Sequence, residues 1–126
     1  MPLTRISMRK GRTAEEKQII LDQIYLAMRE TFDVPEDDRF MILTEHDSST
    51  FSFGRTFLDI SRTDDLVIIQ LTVSNTRTLE KKKALFADIA KRLQTHAGIP
   101  GGDVFINLVE TGRENWSFGH GEAQFA

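Results

Sequence analysis

Gly11-Arg12-Thr13-Ala14-Glu15-Glu16-Lys17 lies over Thr76-Arg77-Thr78-Leu79-Glu80-Lys81-Lys82 when the chain is slid 65 positions along itself, and Arg, Thr, Glu and Lys coincide. In the same register Val34-Pro35-Glu36-Asp37-Asp38-Arg39-Phe40 falls on Ile99-Pro100-Gly101-Gly102-Asp103-Val104-Phe105, where Pro, Asp and Phe coincide. Leu43 and Glu45 then fall on Leu108 and Glu110. One ungapped register through separate blocks reads as an internal duplication. The two units span 2–45 and 67–110, joined by a connector and followed by a tail over 112–126.

Each unit has the same outline. Leu3-Thr4-Arg5-Ile6-Ser7 alternates apolar and polar like a half-buried strand. Its partner Leu66–Val73 is more continuously apolar, like a central strand. A helix follows each. Thr13 and Thr78 are N-caps, and Glu16 completes a capping box at the first. Ile20, Leu21, Ile24, Met28 and Phe32 make one helical stripe; Leu85, Phe86, Ile89 and Leu93 make the other. Asp33-Val34-Pro35 and Gly98-Ile99-Pro100 stop the helices, because a residue before proline avoids the helical region. Phe40–Leu43 and Val104–Val109 close the units as strands. The prediction is an α/β (α+β) fold: β-α-β twice, each unit paired in parallel through a right-handed crossover. The strands join into one sheet with both helices on one face. Phe51-Ser52-Phe53 in the polar connector alternates and reads as a short strand. The tail holds the only Trp and two Phe, and is expected to form a hairpin on a neighbouring subunit.

The chain has 126 residues, about one domain by length. With 40% hydrophobic and 28% charged residues it is neither a disordered tail nor a membrane segment. Sixteen basic against 19 acidic residues argue against a nucleic-acid-binding protein, which needs a basic face. The absence of Cys removes disulfides, thiolate zinc sites, Fe–S clusters and a Cys nucleophile. No signal-like or membrane-length apolar run is present. A cytoplasmic protein without membrane attachment is expected. His46, His96 and His120 show no metal-ligand spacing. His46 reads as a solvated loop, His96 as a helix end and His120 as a turn.

The Met1-Pro2 start carries the clearest chemical possibility. Removal of the initiator Met would free a secondary amine at Pro2, which is both base and nucleophile. In an apolar pocket desolvation disfavours its ammonium form and brings its pKa toward the working pH. The alternative is an ordinary Met-Pro start without consequence.

Pro2, Gly11-Arg12-Thr13, Val34–Phe40, Arg77-Thr78 and Glu114-Asn115-Trp116-Ser117-Phe118-Gly119 together resemble the tautomerase superfamily, in particular the branch containing malonate semialdehyde decarboxylase. The resemblance covers nearly the whole chain, and Trp116-Ser117-Phe118-Gly119 is its most specific part. It implies a homotrimer with sites around the N-terminal prolines. Pro2 would move a proton, or activate water, beside the carbonyl of a small oxo acid, without metal or organic cofactor. Asp38 matches the carboxylate that works beside the proline, and Arg77 an arginine that holds substrate. Their structural alternatives are a turn Asp, like Asp103, and a residue before a helix cap, like Arg12. Asn75 stands where the decarboxylase has a second arginine. One lost charge-assisted contact is worth about 1.5–3 kcal/mol, which weighs against decarboxylation unless Arg39 or Arg113 compensates. Trp116, Phe118 and Phe125 match aromatic positions that wall the family's pocket, and serve equally as subunit packing. The resemblance thus implies a 2-oxo acid tautomerase acting on a substrate such as phenylpyruvate. The alternatives are a malonate semialdehyde decarboxylase- or hydratase-like lyase, and a non-catalytic ligand-binding trimeric module.

Overall fold

The computed structural model describes residues 1–126. Its elements are β1 (Leu3–Arg9), α1 (Ala14–Phe32), β2 (Phe40–His46), β3 (Val67–Ser74), α2 (Leu79–Ala97) and β4 (Val104–Thr111). They form a four-stranded sheet in the order β2-β1-β3-β4. β1 and β2 run parallel, as do β3 and β4, while β1 and β3 meet antiparallel. The duplicated β-α-β architecture is therefore as the repeat predicts. Arg5 pairs with Gln70, its own equivalent in the second unit. The internal two-fold relating the units therefore passes through that pair.

The caps behave as their residue types require. Glu16 N donates to Thr13 Oγ1 and Thr13 N to Glu16 Oε1, which closes the capping box. Lys81 N donates to Thr78 Oγ1, but Lys81 returns no acceptor. α1 ends at Asp33 and α2 at Gly98, with φ of 54° and 65°. Aspartate and glycine are among the few residues that adopt this left-handed conformation.

Sixteen buried apolar residues fill the space between helices and sheet. Ile6 and Met8 of β1, with Val67, Ile69, Leu71 and Val73 of β3, meet Ile20, Ile24, Met28 and Phe32 of α1 and Leu85, Ile89 and Leu93 of α2. Each large side chain taken from water contributes about 1.5–3 kcal/mol. Truncating a central one, Ile24→Ala, is expected to cost about 2–5 kcal/mol. The opposite sheet face leaves Phe40, Ile42, Phe105 and Val109 exposed.

Three local expectations are corrected. Phe51-Ser52-Phe53 is not a strand. Phe51 is buried, and its ring meets those of His46 and Phe53. Its apolar character serves this cluster, so the alternation does not mark a sheet edge. His46 is correspondingly the half-buried last residue of β2, not a loop residue. The tail forms no hairpin. It turns through Arg113–Asn115 and Gly119–Gly121, with Trp116 Nε1 donating to Thr111 Oγ1 over 2.7 Å and Phe118 meeting Phe40. An indole N–H needs a buried acceptor, and the end of β4 supplies one.

Candidate active site

The chain enters the sheet between its two central connections. Pro2 is buried at the head of β1. On one side lies the α1–β2 turn, on the other the β3–α2 turn. The first is shaped by Pro35, whose carbonyl accepts from Asp38 N, and by Asp37, whose φ of 67° turns the chain. The Tyr25 hydroxyl on α1 accepts from Asp37 N and fixes the turn against the helix. Asp38 is thereby presented to the amino terminus: the Met1 ammonium donates to Asp38 Oδ2 over 2.7 Å.

Arg77 forms the other wall. Its Nη1 donates to Ser74 Oγ and its Nη2 to the carbonyl of Phe32, while its guanidinium stacks on the Phe32 ring at 4.9 Å. Burial pushes its pKa below the usual arginine value, and Asp33 and Asp38 oppose that shift. Arg12 is its structural counterpart and donates to the carbonyl of Asp65. Both arginines thus brace a backbone carbonyl, but only Arg77 shares a cleft with the chain terminus.

That cleft, of about 270 Å³, brings together Met1, Asp38, Ser74, Arg77, Arg113 and Phe125. A second, apolar groove adjoins it, lined by Pro2, Leu3, Phe40, Trp116 and Phe118. Phe118 links the two: it stacks on Trp116 at 5.5 Å and takes Phe125 edge-on at 5.4 Å. The cleft sets Met1, Arg77 and Arg113 against Asp38, the groove is apolar, and the chain terminus stands between them.

Pro2, Asp38, Arg77, Trp116, Phe118 and Phe125 are therefore gathered in one place. Asn75 is not. It is exposed, its N–H donates to the carbonyl of Thr111, and it lies outside the residues that line the cleft. Of the two arginines weighed as a second cation, Arg39 is engaged with Asp22 over 2.5 Å and lies on the Tyr25 ring. Arg113 lines the cleft from an exposed position. Tyr25 escaped sequence reading because nothing in a helical Tyr announces that its hydroxyl holds a distant turn. A further signal was present. The 65-residue register continues past the second unit and lays Phe51-Ser52-Phe53-Gly54 over Trp116-Ser117-Phe118-Gly119.

Comparison with known proteins places this arrangement. A family model described as a tautomerase enzyme matches residues 38–119, and a second so described matches residues 2–58. The chain is 40% identical to "Probable tautomerase YusQ" of Bacillus subtilis (strain 168), over 98% of both chains. It is 38% identical to "Probable tautomerase YrdN" of the same organism, over 99% of this chain and 96% of that one. Among solved structures, a malonate semialdehyde decarboxylase with described decarboxylase and hydratase activities superposes with a TM-score of 0.93 at 29% identity, covering 98% of this chain and 95% of that one. A second malonate semialdehyde decarboxylase, inhibited by 3-bromopropiolate, gives 0.91 at 37% identity, covering 98% and 93%. The chain belongs to the tautomerase family, and malonate semialdehyde decarboxylases are among its close structural neighbours.

Proposed function

We propose that this protein is a cofactor-independent tautomerase that uses the Pro2 amine, freed by removal of Met1, to move a proton next to the carbonyl of a 2-oxo acid such as phenylpyruvate. One observation carries the reading: the 2.7 Å contact between the chain terminus and Asp38, in the cleft that holds Arg77. No other backbone position offers a titratable amine. Asp38 accepts a hydrogen bond from it and aims it. Arg77 and Arg113 hold the substrate carboxylate, and Trp116, Phe118 and Phe125 exclude water around an apolar tail. In ketonisation the Pro2 amine takes the enol hydroxyl proton, and the prolinium so formed delivers a proton to the enol carbon, which restores the free amine. The cations stabilise the enolate-like charge that builds between the two transfers.

The protein acts as a homotrimer in this reading. Supporting it are Ile42 and Val109, uncovered on the free sheet face, and a fused 4-OT of the same fold described as a symmetric trimer. An exposed patch of that kind marks an interaction surface. The lack of Cys and of any helix long and apolar enough to cross a membrane supports a cytoplasmic setting.

A second reading, a lyase of the malonate semialdehyde decarboxylase type, draws support from the likeness to two such enzymes. Asn75 counts against it, since the side chain at that position neither carries charge nor lines the cleft.

Ketonisation of phenylpyruvate enol, followed by absorbance, tests the proposal. The wild-type protein, shown by mass to lack Met1, is compared with Pro2→Ala. A fall of about 10²–10⁴-fold is expected, the usual range for loss of a general base. Equal rates would remove the tautomerase reading. Carbon dioxide release from malonate semialdehyde that depends on Pro2 would favour the lyase instead.

A further inference from the structure

We propose that the chain carries a second, non-catalytic binding site for a small aryl or alkyl monocarboxylate, at the pole that the internal two-fold relates to the Pro2 site. The clefts of the molecule come in pairs. The cleft lined by Ser74, Thr76 and Arg77 has its counterpart, residue for residue, in one of about 330 Å³ lined by Arg9, Gly11 and Arg12. The groove lined by Leu3, Phe40, Ser117 and Phe118 has its counterpart in one lined by Ile68, Phe105, Ser52 and Phe53. Cleft and groove adjoin at both poles through consecutive residues, Met1 and Pro2 at one and Asp65 and Leu66 at the other.

The second pole has lost the means of catalysis. Val67 occupies the place of Pro2 and carries an ordinary peptide nitrogen inside β3. Asp103 occupies the place of Asp38 but is only 1% exposed, and both its oxygens are taken by Thr63 N and Oγ1 at 2.7 and 2.6 Å. No free amine and no available carboxylate stand where a proton would have to move.

The means of binding remain. Lys10 replaces Asn75, so this cleft has a cation beside Arg12 at the position that is uncharged in the second unit. Arg12 donates to the Asp65 carbonyl and leans on the Met8 sulfur, and neither contact neutralises it. Arg9 adds a third cation to the lining, with its Nη1 3.2 Å from Asp64 Oδ1. Three carboxylates share the wall: Glu16 accepts from Thr13 N, Asp64 lies between Arg9 and Arg55, and Asp65 completes the set. They balance the three cations and disfavour a second negative charge on the ligand. In the groove, Arg55 stacks on Phe53 at 4.8 Å and holds the ring that would meet an apolar tail. The ligand class follows that of the Pro2 site and so rests on the proposed function; the site itself rests on the paired geometry.

The test is an amide NMR titration of the intact oligomer with 3-phenylpropanoate, which lacks the 2-oxo group and is not turned over. Inorganic phosphate is titrated in parallel. Saturable shifts are expected at Gly11 and Gly98 as well as at Thr76 and Arg77. Lys10→Met and Arg9→Met should each raise the dissociation constant read at Gly11 and Gly98 about tenfold. The constant read at Thr76, and the turnover of phenylpyruvate enol, should stay within twofold. No saturation at Gly11 and Gly98, or saturation indifferent to Lys10→Met, would overturn the proposal, as would phosphate binding there as tightly as the aryl acid. Turnover indifferent to Pro2→Ala, with Gly11 and Gly98 still saturating, would overturn the tautomerase reading and leave this site standing.

Discussion

The amino nitrogen of Met1 stands 2.7 Å from Asp38 Oδ2, and the side chains of the two residues are only 11% and 19% exposed. This is a charge-assisted hydrogen bond from an ammonium to a carboxylate. With Met1 removed, Asp38 should accept from Pro2 in the same way. Asp38→Asn is expected to lower kcat/KM about 10²-fold, chiefly through kcat. A purely structural Asp38 would lower thermal stability and leave kcat in place. A chain that retains Met1 should show no Pro2-dependent turnover.

Arg77 links the site to the core. Besides facing the cleft, it donates to the Phe32 carbonyl and Ser74 Oγ. Arg77→Met should therefore raise KM and also cost about 1.5–3 kcal/mol of stability, the range for hydrogen bonds made by a charged group. Arg77→Lys keeps the charge but cannot reach both acceptors with one planar fork. Measured side by side, KM and urea midpoint should separate in Arg77→Lys, with KM partly rescued and the midpoint not.

The outline of the fold was legible because it is written in local chemistry. Thr13 and Thr78 mark the helix starts, Asp33 and Gly98 the ends, and the stripes from Ile20 to Phe32 and from Leu85 to Leu93 face one core. Asp38, Arg77 and the tail aromatics were legible through resemblance, and the fold gathers them. What escaped depends on contacts distant in sequence. Phe51 alternates with Phe53 like a strand residue, but its partner is the His46 ring. The tail aromatics suggest a hairpin, but the chain only turns, at Arg113–Asn115 and Gly119–Gly121. Asn75 sits two residues from Arg77 and still lies outside the cleft, because the chain turns away after β3 and its N–H goes to Thr111.

Asp103 shows how far two equivalent positions can diverge. A charge-accepting pair of bonds to Thr63 ties the connector to the start of β4. Gly102 beside it is equally constrained, since a Cβ there would lie 2.7 Å from the Ser61 carbonyl oxygen. Asp103→Ala should cost about 1.5–3 kcal/mol while leaving kcat unchanged, read by urea unfolding and by enol turnover. Loss of turnover at full stability would place Asp103 in the chemistry instead.

The α1 cap gives a pH signature. Hydrogen bonds from the Thr13 backbone and side chain hold Glu16 below its ordinary value of 4.5. A carboxyl depressed on folding contributes stability above its unfolded pKa and loses it as pH falls through the folded one. Thr13→Ala should cost about 1 kcal/mol at pH 7 and flatten the decline in stability below pH about 4.5. Thr78→Ala, whose cap has no carboxylate partner, should cost a similar amount and leave the slope unchanged. Thermal unfolding from pH 3 to 7 distinguishes them.

Arg113 is the residue on which substrate affinity should turn. The position two before Arg77 carries no charge, so a carboxylate in the cleft needs its second cation from elsewhere. Arg39 is close in sequence to Asp38, but Asp22 and the Tyr25 ring hold it on the face of α1. The hydrogen bond from Arg39 also keeps Asp22 below the usual carboxylate range. Arg39→Met should therefore cost about 0.2–1 kcal/mol of stability, present at neutral pH and fading as Asp22 protonates, with KM unchanged. Arg113→Met should do the reverse: stability unchanged and KM for phenylpyruvate enol raised about 10-fold, the equivalent of roughly 1.4 kcal/mol, with kcat little altered because a contact to the carboxylate is made equally in ground and transition states. A KM indifferent to Arg113→Met would mean that Arg77 alone holds the acid.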